Sequence, residues 1–213
     1  MKYRTILFDF DGTLADSAAL SISIMNSLAP EFGFAPIVPD EVPQLKKMSA
    51  RELLVQRAHI PLWHIPKIRR LERRVREEFT KRASEIQTFE GVPEMMQDLY
   101  KSGYEIGIVS SNAHEVVAGL LARTGIQVHF IHAGSAFFGK ARAIRGALSE
   151  YGVDRRYAVY IGDELRDIEA CKKVGMGMIA VGWGLNASEI LKAAGVEVAA
   201  TPQALLSILG AQQ

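Results

Sequence analysis

Two pairs of acids stand directly after apolar runs. Asp9 and Asp11 follow Thr5–Phe8, and Asp163 and Asp167 follow Tyr157–Ile161. Residues two apart on a strand point the same way. The carboxylates of Asp9 and Asp11 therefore repel unless a cation or a proton lies between them. Asp163 and Asp167 are four apart and share a face once a helix has started. Oxygen ligands of this hardness suit Mg²⁺. Gly12 permits an irregular backbone, and the following Thr13 can donate a hydrogen bond. A third apolar run, Glu105–Val109, ends in Ser110-Ser111-Asn112. A hydroxyl and free backbone N–H groups at such a turn can hold phosphate oxygens, or can simply cap the next helix. Lys140 comes after Gly134–Gly139, a stretch containing Phe137 and Phe138, which suggests a buried approach to a fixed position. A fixed cation has a clear task among several anions.

The elements that must position these residues are legible as an alternation. Short continuous apolar runs at Thr5–Phe8, Glu105–Val109, Val128–Ile131, Tyr157–Ile161 and Gly177–Val181 read as strands covered on both faces. Helix-length stretches lie between them at Val92–Lys101, Ala113–Thr124, Ala141–Tyr151 and Ile168–Val174. A weaker sixth strand at Glu197–Ala200 precedes a closing helix over Pro202–Leu209. This is an α/β unit with a mostly parallel sheet. Residues 16 to about 88 break the alternation and show no strand. Apolar positions 65, 68, 71, 75 and 79 form one helical stripe, and Ser17–Leu28 and Ala50–Ala58 are further helical candidates. The spacing predicts an all-helical insert after the first strand.

The hexapeptide Asp9-Phe10-Asp11-Gly12-Thr13-Leu14 resembles the opening motif of the haloacid-dehalogenase-like phosphohydrolases. The resemblance implies a Rossmann-like sheet of order 5-4-1-2-3 flanked by helices, with an all-helical cap over residues 16–88 and a core of residues 1–15 and 89–213. It implies that Asp9 attacks phosphorus to form an aspartyl-phosphate, and that Asp11 protonates the leaving oxygen and then activates water. Mg²⁺ is implied as cofactor, held by Asp9, Asp11 (through its backbone carbonyl), Asp163 and Asp167. Ser110 takes the phosphate-binding role, with Ser111, Asn112, Gly12 and Thr13 lining the pocket, and Lys140 bridges Asp9 and the phosphoryl group. The chain departs from many relatives at Ala141, where they have proline, and at Glu164, where they have a small hydroxyl residue. Glu164 either touches the metal or binds Arg166 or a cap residue. Trp183-Gly184 followed by Asn186 looks like the phosphoglycolate-phosphatase-type branch, and a packing tryptophan explains Trp183 equally well. The expected activity is hydrolysis of a small phosphomonoester, 2-phosphoglycolate first. Pyrophosphate or a nucleoside monophosphate is the alternative substrate. A sugar phosphomutase and a non-enzymic phospho-aspartate receiver module share part of the constellation. Hydrolytic dehalogenases lack the metal and the second acid.

Composition narrows the remaining classes. In 213 residues, 25 Lys and Arg oppose 24 Asp and Glu, so net charge gives no reason to expect a polyanionic partner. Lys67–Arg82 carries eight basic residues against three glutamates, but its apolar stripe makes those charges a solvated helix face rather than a nucleic-acid surface. Arg51 is the cap cation expected to meet a substrate carboxylate or second phosphate, with a plain surface arginine as the alternative. The single cysteine, Cys171, cannot form an internal disulfide and reads as a buried apolar residue. No signal peptide and no membrane span are expected. The reading is a cytoplasmic monomer or homodimer acting on a small phosphorylated metabolite.

Overall fold

In the computed structural model, which describes residues 2–134 and 139–210, β1 (Thr5–Phe8) leads into the two-residue β2 (Ala15–Asp16). A helical segment follows: α1 (Ala18–Phe32), α2 (Val42–Leu45), α3 (Ala50–Glu52), which widens into a π-type turn over Leu53–Arg57, and α4 (Ile65–Lys81). The chain returns through β3 (Gln87–Thr88), which pairs antiparallel with β2. Strand and helix then alternate: α5 (Val92–Lys101), β4 (Glu105–Val109), α6 (His114–Thr124), β5 (Phe130–His132), α7 (Lys140–Glu150), β6 (Ala158–Gly162), α8 (Leu165–Val174), β7 (Gly177–Val181), α9 (Ser188–Ala193), β8 (Glu197–Ala199) and α10 (Pro202–Leu209).

Six strands form one parallel sheet in the order β5-β4-β1-β6-β7-β8. This is the expected five-strand order, extended at one edge by β8. A parallel sheet has helices on both faces, which is why its strands are apolar throughout rather than alternating. All four residues of β1 and all five of β6 are buried. Ile6, Phe8, Ile106, Ile108, Val159 and Ile161 pack with the apolar sides of α5, α6 and α10. Leu7, Val109 and Tyr160 point to the opposite face, against Ala143, Ile144 and Ala147 of α7 and Cys171 and Val174 of α8. Because β1 lies between β4 and β6, with Phe8 opposite both Ile108 and Ile161, the residues just past these three strands meet at one end of the sheet. Open α/β sheets bind their ligands there.

The insert after β1 is helical. Ile68, Leu71 and Phe79 of α4 are buried and Val75 packs against the same cluster, whereas Ile65 is exposed at the helix start. The basic face of α4 is not simply solvated. Arg70 and Arg74 reach Glu31 at the end of α1 at 2.9 and 3.1 Å. The expectation of no strand between residues 16 and 88 fails at both ends, where β2 and β3 form a short ribbon. Two residues per strand carry no periodic signal, and their pairing partner lies about seventy residues away. β5 begins two residues later than expected, and α9 was not anticipated. No helix among the described residues is long and apolar enough to cross a membrane.

Gly107 sits in β4 under the ring of Phe130, and a Cβ there would penetrate the ring. Gly107→Ala should lower stability by about 1–3 kcal/mol, the usual cost of overpacking a core. Gly119→Ala, whose Cβ would meet only the flexible end of Arg123, should be neutral or stabilising. Denaturant midpoints measure both, and equal midpoints for the two variants contradict this account of the strand.

Candidate active site

The backbone carbonyl of Phe10 accepts the N–H groups of Leu14 and Ala15, both at 2.9 Å, so residues 10–15 fold into a tight turn. Asp9 N–H donates to Ile161 O at 2.8 Å, carrying the β1–β6 ladder one residue beyond β1. That contact brings Asp9 beside Asp163. Inside the turn Gly12 adopts φ 74°, and a Cβ there would overlap the Asp163 carboxylate. Only glycine meets both demands. Thr13 Oγ1 donates to Asp163 Oδ1 at 3.0 Å. Gly12 and Thr13 thus serve Asp163 directly.

Ligand oxygens of Asp9, Asp163 and Asp167 all lie within 4.8 Å of one another, and all three residues are buried. Asp9 Oδ1 accepts from Phe10 N–H at 2.7 Å, and Asp163 Oδ2 from Leu185 N–H at 2.7 Å. Asp167 Oδ2 accepts from Glu164 N–H at 3.1 Å at the start of α8. Lys140, the first residue of α7, sends its ammonium 2.6 Å from Asp9 Oδ2 and 3.2 Å from Asp167 Oδ1. Neither of those oxygens has a well-directed hydrogen bond. The ammonium also stands 5.3 Å from the centre of the Tyr160 ring. The expected approach to Lys140 through Phe137 and Phe138 lies outside the described residues.

Asp11 is set apart. Its carboxylate accepts from Ser17 Oγ at 2.8 Å and from Asn112 Nδ2 at 2.7 Å, and it stands outside the three-carboxylate cluster. Ser110 is buried after β4, and its Oγ accepts from Asn112 N–H at 3.0 Å. Ser111 is half-buried. Glu164 pairs with Arg166, which answers the question of its partner, and it is absent from the carboxylate cluster. Cys171 is buried, and burial pushes its thiol up to about 12. Arg51 is exposed on α3 and makes no hydrogen bond or ion pair among the described residues. The cap cation that does reach the core is Lys46, whose ammonium lies 3.2 Å from Gly184 O. Sequence reasoning named Gly184 only as part of the Trp183–Asn186 stretch and passed over Ser17 and Leu185. The last acts through a backbone N–H, which has no residue-type signature.

Burial dominates the electrostatics. It raises Asp11 to about 6, with the Asp9 charge adding and the Ser17 hydrogen bond opposing. Asp167 also rises to about 6 through burial, against the pull of Lys140. Asp163 is pushed well above the usual carboxylate range by burial and by the charges of Glu164, Asp9 and Asp167. Burial alone would depress Lys140, but Asp167 and Asp9 leave it above its ordinary value. Three buried carboxylates with hard oxygen donors only, and one ammonium between two of them, fit a divalent cation. Asp9, Asp163 and Asp167 would hold it.

A family model described as haloacid dehalogenase-like hydrolase matches residues 6–181. The chain belongs to the haloacid dehalogenase-like hydrolases. It is a phosphatase of that family, with the helical cap inserted after β1. Phosphoglycolate phosphatase of Synechococcus elongatus is 35% identical over 193 residues, spanning 90% of this chain and 89% of that protein. Pyrophosphatase PpaX of Listeria welshimeri is 29% identical over 200 residues, 89% and 88% of the two chains. A crystal structure of a predicted phosphatase from Clostridium acetobutylicum shares the fold at TM-score 0.81 and 21% identity, covering 98% of this chain and 99% of that one.

The raised carboxyls make the metal-free protein sensitive to pH in a definite direction. A folded-state pKa near 6 against about 3.9 unfolded means that stability is fully present below pH 4 and is lost as pH rises through 6. Each two-unit shift corresponds to about 3 kcal/mol at neutral pH, and the coupled carboxyls do not simply add. In EDTA, Tm should be higher at pH 5 than at pH 8, and millimolar Mg²⁺ should restore stability at pH 8. A flat pH profile in EDTA would show that burial does not raise these groups.

Proposed function

We propose that the protein hydrolyses a small phosphomonoester, 2-phosphoglycolate first, through an aspartyl-phosphate on Asp9, with Mg²⁺ as its cation. The observation that carries this reading is the division between two neighbouring acids. Asp9 lies in the carboxylate cluster against Lys140, while Asp11 lies outside it with a carboxyl raised to about 6. Environments that separate two acids in this way assign one as nucleophile and the other as acid and base.

An Asp9 carboxylate oxygen attacks phosphorus, and the bond from phosphorus to the substrate oxygen breaks. That oxygen takes the proton of Asp11, whose carboxyl Ser17 and Asn112 hold in place. Asp11, now ionised, takes a proton from water as the water oxygen attacks phosphorus. The acyl-phosphate bond breaks, freeing phosphate and regenerating Asp9. Lys140 holds its ammonium against Asp9 and offsets charge on the phosphoryl oxygens, and Ser110 contributes its hydroxyl at the same rim. Asp9, Asp163, Asp167 and the Asp11 carbonyl would hold the Mg²⁺ ion, which when bound would supply positive charge to stabilise the phosphoryl oxygens. Residues 16–88 act as the cap that excludes water and selects the leaving group, hinged at the β2–β3 ribbon.

The choice of 2-phosphoglycolate is supported by the name of the Synechococcus relative and by the Trp183–Asn186 stretch. Phosphate release should give a kcat/KM for 2-phosphoglycolate at least about tenfold above esters with uncharged leaving groups, pyrophosphate and nucleoside monophosphates. A higher value for pyrophosphate selects the activity of the Listeria relative instead. Asp9→Asn should reduce turnover of every substrate by about 10³-fold or more, while circular dichroism stays native. Turnover comparable with wild type removes the covalent mechanism.

A further inference from the structure

Asn186 occupies a place that the reaction above does not use. It is 2% exposed and every polar group of its side chain is engaged. Its Oδ1 accepts from Leu165 N–H at 2.9 Å, at the first residue of α8. Its Nδ2 donates to the carbonyls of Lys46 and Met48, each at 3.0 Å, both in the helical insert. The amide orientation is fixed by these partners, since a flip would set its oxygen against two carbonyls. The neighbouring Ala187 N–H donates to Lys46 O at 3.0 Å, and Lys46 Nζ returns to Gly184 O at 3.2 Å. Arg123 of α6 also donates to the carbonyls of Ala83 and Ile86, each at 3.1 Å, close to the ribbon; at the Lys46–Met48 loop the contact with the core is carried by Asn186, Ala187 and Lys46.

The same loop grips the carboxylate cluster. Leu185 N–H donates to Asp163 Oδ2, and Asn186 N–H to Asp163 O at 3.3 Å. Gly184 lies so close that a Cβ would overlap both Asp163 and Gly12 O. Trp183 Nε1 donates to Thr13 O at 3.0 Å, tying the loop to the turn that carries Asp11. One short segment therefore holds a carboxylate of the cluster and the cap loop at once.

We propose that Asn186 is a positioning residue that latches the cap loop at Lys46–Met48 onto the catalytic end of the sheet, so that the closed cap is already the favoured state before substrate arrives. A protein whose binding-competent state is fully populated loses no affinity to the cost of closing. Breaking the latch lowers that population and raises KM in proportion. It leaves kcat nearly unaltered, because bound substrate still closes the cap. The KM readout rests on the proposed substrate, whereas the latch itself can be read without any substrate.

Asn186→Asp tests this, because the carboxylate keeps the acceptor for Leu165 N–H and removes both donors to the cap. Amide exchange followed by NMR in the substrate-free protein should be at least about tenfold faster at Ala187 and within twofold of wild type at Leu165. KM for 2-phosphoglycolate should rise about fivefold to tenfold, with kcat within twofold. Lys46→Met, which replaces no core residue and removes only the ammonium at Gly184 O, should shift Ala187 exchange and KM in the same direction by about twofold to threefold, and it carries the test if Asn186→Asp does not fold. Unchanged Ala187 exchange in a folded variant overturns the latch. Faster exchange with unaltered KM overturns its role in the reaction. If the wild-type protein does not hydrolyse 2-phosphoglycolate, the substrate assignment fails while the exchange result still decides the latch.

Discussion

Crowding of buried negative charge governs this structure. Ligand oxygens of three buried carboxylates lie within 4.8 Å of one another. At an effective dielectric of about 20, each fully ionised pair at 5 Å repels by about 3 kcal/mol. Three such pairs approach the whole net stability of an ordinary domain, about 5–15 kcal/mol. Such an arrangement persists only if protons, cations or directed donors offset it. Lys140 supplies one charge, and the N–H groups of Phe10, Leu185 and Glu164 and the hydroxyl of Thr13 supply the donors.

The geometry of the sheet follows from the same demand. Adjacent parallel strands bring β1 and β6 within one hydrogen-bond spacing, and the turn after each delivers an acid to a common point. Gly12 and Gly184 are the two places where backbone must approach the Asp163 carboxylate more closely than a side chain allows. Charge is then balanced further out by the Glu164–Arg166 pair. Burial would lower the Arg166 guanidinium, but Glu164, Asp9 and Asp167 hold it above its ordinary value. The field in which the acids titrate is thus set by α8 as well as by the carboxylates themselves.

Much of this was legible from residues alone. Strands buried on both faces are continuous apolar runs, so β1, β4, β6 and β7 declared themselves, and the acids that follow β1 and β6 marked the end of the sheet where the carboxylates gather. The helical insert was legible from the break in alternation and a stripe of period 3.6. What escaped has physical reasons. β2 and β3 are too short to show alternation, and their pairing is long-range. Asp163 is oriented by a main-chain N–H from Leu185, which any residue but proline could provide. Arg51 and Lys46 are equally basic and five residues apart. Only tertiary docking makes Lys46 the one that meets the core, while Arg51 faces solvent.

The β2–β3 ribbon has a consequence for how such a chain can diversify. Both ends of the insert leave the core side by side, Ala15 opposite Thr88 and Asp16 opposite Gln87, so to the core the whole cap is a single hairpin loop. The entropy of closing a loop grows only with the logarithm of its length. A longer, shorter or entirely different cap would therefore leave the sheet register, and the meeting of Asp9 with Asp163, undisturbed. Recombination that exchanges everything between the two ribbon strands can trade one helical insert for another on an unaltered carboxylate cluster.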